Sequence, residues 1–103
     1  MAKQKESDIQ KAILEFLSWK KVFHYRNNSG AFKTESGGFY RFGEKGSPDI
    51  VCVIDGQYVG LEVKLPKGKQ SDGQIDFQER LQKAGGLYYV VRSVDEVEDL
   101  LEL

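Results

Sequence analysis

Residues 48–64 read Pro-Asp-Ile-Val-Cys-Val-Ile-Asp-Gly-Gln-Tyr-Val-Gly-Leu-Glu-Val-Lys. Two β-rich runs, Ile50–Ile54 and Gln57–Lys64, flank Asp55-Gly56, a dipeptide favoured in two-residue hairpin turns because both positions tolerate a positive φ. With those two residues at the turn, Ile54 faces Gln57, Val51 faces Gly60 and Asp49 faces Glu62. Opposed residues project to the same side, with Cβ atoms about 4.5–5.5 Å apart. Lys64, one pleat beyond Glu62, shares that side. This face also carries Val51, Val53, Tyr58 and Gly60. The other carries Ile50, Cys52, Ile54, Val59, Leu61 and Val63, a continuous core surface.

The register gathers two carboxylates and an amine at one end of the hairpin. Carboxylates this close repel unless a positive charge or a proton lies between them. Mg²⁺ or Mn²⁺ suits the position, being hard and taking carboxylate oxygens and water. Such an ion binds phosphate oxygens, acidifies a bound water and steadies the charge that develops in phosphodiester cleavage. A neighbouring lysine adds stabilisation of that charge. The plainer reading makes Asp49 a turn residue after Pro48, and Glu62 and Lys64 a solvated strand face.

Outward from the hairpin, the elements alternate. Ser7 to Lys20 reads as a helix with Ile9, Ile13, Phe16 and Leu17 on one face, and Ser7 with Gln10 resembles a capping box. Asn27 to Pro48 is rich in Gly and short polar residues, with Phe32, Phe39, Tyr40 and Phe42 scattered through it, and suggests a short strand or hairpin. After a basic loop at Pro66–Lys69, Ser71 with Gln74 caps a second helix that carries Phe77, Leu81 and Ala84 inward and stops at Gly85-Gly86. Leu87–Arg92 is an apolar strand. Ser93 with Glu96 opens a last acidic helix with Val94, Val97, Leu100 and Leu101 inward. The expected architecture is one α/β domain over residues 1–103, a small mixed sheet flanked by helices in the order αβββαβα.

Composition fits this reading. The chain has 103 residues, 40% hydrophobic and 30% charged, which suits one folded domain of ordinary size. No apolar run approaches the ~20 residues of a transmembrane helix, and Met1 is followed by a charged stretch without the apolar segment of a secretory signal. The single cysteine, Cys52, and single histidine, His24, exclude a disulfide scaffold and a Cys/His zinc site. Cys52 reads as an inert core thiol, His24 between Phe23 and Tyr25 as packing, and Trp19 as core or interface. The net charge of −1 hides an asymmetry: residues 93–103 carry five acids and no base, so the first 92 sum to +4. A basic face is therefore compatible with near neutrality.

The ordered blocks Glu6 at the first helix, Gly46-Ser47-Pro48-Asp49-Ile50, Gly60-Leu61-Glu62-Val63-Lys64, Gln74 with Phe77, and Ala84-Gly85-Gly86 before an apolar strand resemble the VRR-NUC family of PD-(D/E)XK nucleases. The resemblance covers nearly the whole chain, and Asn27–Gly43 is its weakest part. It implies a restriction-endonuclease-like core and a Mg²⁺- or Mn²⁺-dependent DNA endonuclease. By position, Asp49, Glu62 and the main-chain carbonyl of Val63 would hold the metal, Glu6 would approach it from the first helix, Lys64 would be the catalytic lysine, and Gln74 would reach the site from the second helix. Stand-alone members of the family, many from phage, look like homodimers acting on branched DNA such as four-way (Holliday) junctions. A location in the cytoplasm follows, that of the bacterial host if a phage encodes the chain.

The residues themselves leave alternatives open. Glu6 extends the apolar stripe of its helix, which suits a site, but an acid is also favoured near a helix N-terminus by the macrodipole. Gln74 points along the line of Phe77 and Leu81, yet also completes a capping box. Lys67 and Lys69 beside Gly68, with Arg26, Lys33, Arg41 and Lys45, are candidates for DNA-backbone contacts that read no sequence. Twelve aromatic residues exceed what a small core readily hides, and those between Phe32 and Phe42 are candidates for a two-fold interface. The competing functions are a non-catalytic DNA-binding or assembly module with the same fold, and a flap or nicking nuclease of the same superfamily.

Overall fold

A computed structural model describes residues 4–27 and 30–103. The readings of Met1 and of residues 28–29 lie outside the described residues.

The hairpin forms as its alternation dictates. β4 (Ile50–Ile54) and β5 (Gln57–Val63) pair antiparallel, with Ile54 opposite Gln57 and Val51 opposite Gly60. Asp55 and Gly56 turn the chain at φ of 52° and 79°, the conformation that tightens the strands without splaying them. On one side β5 pairs parallel with β6 (Leu87–Val91), reached through α2 (Asp72–Lys83). On the other, β4 pairs antiparallel with β1 (Phe23–Arg26), giving a four-stranded sheet in the order β1-β4-β5-β6. β2 (Gly30–Lys33) and β3 (Phe39–Phe42) make a separate antiparallel hairpin.

The core lies on the face read as continuous. Ile9, Ile13 and Leu17 of α1 (Glu6–Trp19) and Val97 of α3 (Val94–Leu101) pack on Ile50, Cys52, Val59, Leu61, Val63 and Val91. The opposite face is covered by α2 only over β6, where the Phe77 and Tyr88 rings meet with centroids 6.2 Å apart. Farther along that face Phe23, Tyr25 and Val53 stay exposed.

Several details differ from expectation: Leu100, read as inward on α3, is 43% exposed, and Ala84, read as inward on α2, is exposed. Among the described residues there are six strands, not four, because β1 exists and the irregular region closes into a two-stranded hairpin. The first helix begins at Glu6 with Lys5 as its N-cap, and Asp8 Oδ2, not Gln10, accepts a cap N–H, from Lys5 at 3.1 Å. A carboxylate at that position complements the positive helix end better than an amide. Trp19 is 75% exposed and not core, and the Lys20 ammonium lies 5.0 Å from its ring centroid. The capping box at Ser71 forms as read, whereas at Ser93, read as a capping box too, the hydroxyl accepts the Glu96 N–H but the Glu96 carboxylate accepts the Arg92 N–H instead of the cap's own. His24 is structural: Nδ1 meets the Val22 carbonyl at 2.7 Å and Nε2 the Ser18 hydroxyl at 3.3 Å.

Candidate active site

Asp49 ends the segment that enters β4, and its placement is over-determined. Asn27 donates its N–H to the Asp49 carbonyl at 2.8 Å, extending the β1–β4 ladder by one step. The Asn27 side-chain amide donates to the Pro48 carbonyl and to the Ser47 hydroxyl, both at 2.8 Å. Ser47 in turn donates to the Glu44 carbonyl at 2.7 Å. Pro48 lies flat against Gly60, where a Cβ would stand 2.6 Å from the proline Cγ. That close approach is the reason for glycine at position 60. Asp49 Oδ2 then accepts the Val63 N–H at 2.8 Å, which ties its side chain to β5.

Glu62 sits behind this junction and is 3% exposed. Its carboxyl is pushed up to about 9, first by burial, then by the adjoining Asp49 carboxyl as hydrogen-bond partner and as charge. Lys64 opposes the shift and Glu6 adds to it. The Lys64 ammonium lies 4.0 Å from Glu62 Oε2, too long for a full hydrogen bond. Glu62 Oε1 is buried with no partner. An unpaired oxygen on a buried carboxylate is costly, so either Glu62 holds a proton or a cation lies beside the ionised pair.

Beside Asp49 opens a cleft of about 260 Å³. Glu6, Ser7 and Gln10 line it from the start of α1, Arg26 and Asn27 from the end of β1, and Asp49 and Val63 from the hairpin. Among the described residues no three Asp, Glu, His or Cys side chains cluster tightly enough to hold a metal. The two carboxylates brought together are those of Asp49 and Glu62, with the Val63 main chain adjoining them. Two carboxylates with water completing the shell is the ordinary way Mg²⁺ is held, so the residues fit that ion. Glu6 shares the cleft with Asp49 but does not join a three-carboxylate cluster.

The other candidates are dispersed. Gln74 does not line the cleft: its Oε1 accepts the Ser71 N–H at 2.9 Å, so the amide is engaged in its own helix cap. Among the described residues, Arg26 is the one candidate cation on the cleft wall. Arg41 and Lys45 line a separate hollow with Phe42 and Gly46 at the base of the β2–β3 hairpin, and Lys33 is exposed on β2. Lys67 and Lys69 are exposed on the loop after β5. That loop is held by Arg92, whose Nη2 donates to the Gly68 carbonyl at 3.0 Å. Asn27 and Arg92 are contributors that reading the sequence missed. Each acquires meaning only through strand pairing or a contact with a distant residue.

No family model and no curated protein matches the chain. Two solved structures resemble it along nearly its whole length. One, described as a VRR_NUC domain, superposes with a TM-score of 0.69 at 24% identity, covering 97% of each chain. The other, a VRR_NUC domain protein, gives 0.64 at 17% identity, covering 99% of this chain and 88% of that one. The chain is similar to both in fold, the mixed α/β arrangement that the sequence resemblance implied.

Proposed function

On the VRR_NUC fold that the chain carries, we propose a metal-dependent DNA endonuclease hydrolysing phosphodiester bonds. One observation carries the reading: the buried Glu62 carboxylate meets the half-buried Asp49 carboxylate beside a lysine, and one oxygen of Glu62 lacks any partner. A module without catalysis gains nothing from holding two acids together. Asp49, Glu62 and the Val63 carbonyl would hold Mg²⁺ or Mn²⁺, which when bound supplies Lewis-acid stabilisation and an acidified water. Lys64 donates toward the negative charge that builds on the phosphate oxygens. Arg26 binds a neighbouring phosphate from the cleft wall, and Glu6 orients water from the start of α1. Lys67, Lys69, Lys33, Arg41 and Lys45 meet the DNA backbone farther out.

The preferred substrate in this reading is branched DNA, with a four-way junction the leading case, cut by a homodimer in the cytoplasm. One site cuts one strand, and a two-fold pair of sites matches a nearly two-fold junction. Exposed Phe23, Tyr25 and Val53 on the uncovered end of the sheet, with Trp19 nearby in sequence, support a second copy covering this face. Among the described residues no helix is long and apolar enough to cross a membrane.

The experiment is incubation with labelled linear, flap, nicked and four-way DNAs in Mg²⁺, Mn²⁺ or chelator, alongside light scattering during size exclusion. Paired nicks in the junction by a dimer support the whole reading. A monomer that cuts flaps or nicks replaces the junction role with that of a flap or nicking nuclease. DNA binding without cleavage in either metal leaves the non-catalytic module.

A further inference from the structure

Among the described residues, two buried side-chain polar atoms have no hydrogen-bond partner: Glu62 Oε1 and the Tyr88 hydroxyl. They belong to neighbouring strands. In the parallel register of β5 and β6, Tyr88 pairs with Gly60 and Val90 with Glu62. Tyr88 is therefore one pleat from Glu62 on the same face, and the residue directly beside it has no side chain to intervene. A diagonal separation of this kind is within reach of an aromatic side chain. The ring is 4% exposed and is braced by Phe77. Gln70 approaches the hydroxyl, and its Nε2 donates one N–H to Gln78 Oε1 at 2.8 Å.

We propose that Tyr88 is a positioning residue for Glu62: when a divalent cation is held, its hydroxyl donates to Oε1 through one water and fixes how that carboxylate presents itself to the ion. A carboxylate oxygen has a second lone pair left when it binds a metal, and ligating carboxylates are ordinarily held by such an outer bond. Burial and the nearby Glu62 and Asp49 charges push the phenol above its ordinary range, so it stays a neutral donor. The inference rests on the metal reading of the preceding subsection.

The test compares wild type, Tyr88→Phe and Gln70→Ala by calorimetric titration with Mn²⁺ alone, and by thermal melting in chelator. Tyr88→Phe keeps the ring and removes only the hydroxyl. The expected result is Mn²⁺ affinity lowered about 10–100-fold, the usual cost of losing an outer-shell partner. Its melting temperature in chelator should be unchanged or raised, because an unpaired buried hydroxyl contributes nothing to the metal-free fold. Gln70→Ala should bind Mn²⁺ as wild type does. Unchanged affinity in Tyr88→Phe, or a loss accompanied by a lower melting temperature in chelator, overturns the role. A wild type that binds no Mn²⁺ instead overturns the metal reading, and this inference with it.

Discussion

Val63 donates its N–H to Asp49 Oδ2 at 2.8 Å, fourteen residues away in sequence. The same carboxylate that faces Glu62 thus also ties the entrance of β4 to the end of β5. Structural and chemical roles at Asp49 can be separated by substitution. Asp49→Asn retains an oxygen able to accept from Val63, so melting should change little while cleavage falls at least about a hundredfold with the loss of a charged ligand. Asp49→Ala should add a stability loss of about 1–3 kcal/mol from the lost hydrogen bond and the orphaned N–H. Parallel melting curves and cleavage rates check both, and an Asn variant of normal activity would remove Asp49 from the chemistry.

Lys64→Ala should lower the cleavage rate by about 10²–10³-fold, the range for removing a donor to developing charge. Mn²⁺ binding should be retained, because the amine opposes rather than supplies cation affinity. Single-turnover kinetics with saturating metal make the comparison, and turnover near that of wild type would exclude the lysine.

Gly60→Ala would set a methyl against Pro48, where the built Cβ stands 2.6 Å from Cγ. Overpacking of this sort costs about 1–3 kcal/mol. Because Pro48 precedes Asp49, activity should fall along with the midpoint of denaturant unfolding. Wild-type values for both would show that the loop gives way freely.

Cys52 is fully buried, and burial pushes its thiol up to about 11. The folded-state value is raised, so the neutral thiol persists through pH 8 and beyond, and thiolate is the reactive form. A disulfide reagent at pH 8 should modify the protein only after unfolding in denaturant. Prompt reaction in native buffer would contradict the packing around β4.

Lys67→Ala with Lys69→Ala should weaken binding to all DNA shapes alike and leave the metal site intact. Each lost phosphate contact lowers the slope of log affinity against log salt by about 0.9. The double variant should therefore shift it by nearly twice that, as anisotropy titrations at several salt concentrations would reveal. An unaltered slope would move the DNA track away from this loop.

The parts of the molecule that were legible in the sequence are those whose signals are local. Asp55-Gly56 and the period-two pattern around it define the hairpin, its register and the meeting of Asp49 with Glu62. Ser71 and Ser93 announce their helices because a cap acts within three residues. β1 was hidden because its pairing with β4 is long-range, and because Phe23 and Tyr25 are exposed, which removes the usual contrast between inward apolar and outward polar positions. Gln74 misled for a related reason. Its spacing along α2 points inward, but the nearby Ser71 N–H competes for the same amide. Tyr88 carried no signal, since only the parallel register with β5 brings it beside Glu62.

The Asp55-Gly56 turn lies at the opposite end of the hairpin from the carboxylates, about 20 Å away at ~3.3 Å per residue. It touches none of the chemistry, yet it counts the residues on both strands. A one-residue insertion or deletion there would slide one strand by a single step and send its side chains to the other face. Asp49 and Glu62 would then part company without either being altered. Length variation in this turn is therefore tolerable only in forms that preserve parity, so that a remote surface loop, ordinarily the freest place for a chain to drift, is bound to the site by arithmetic rather than by contact.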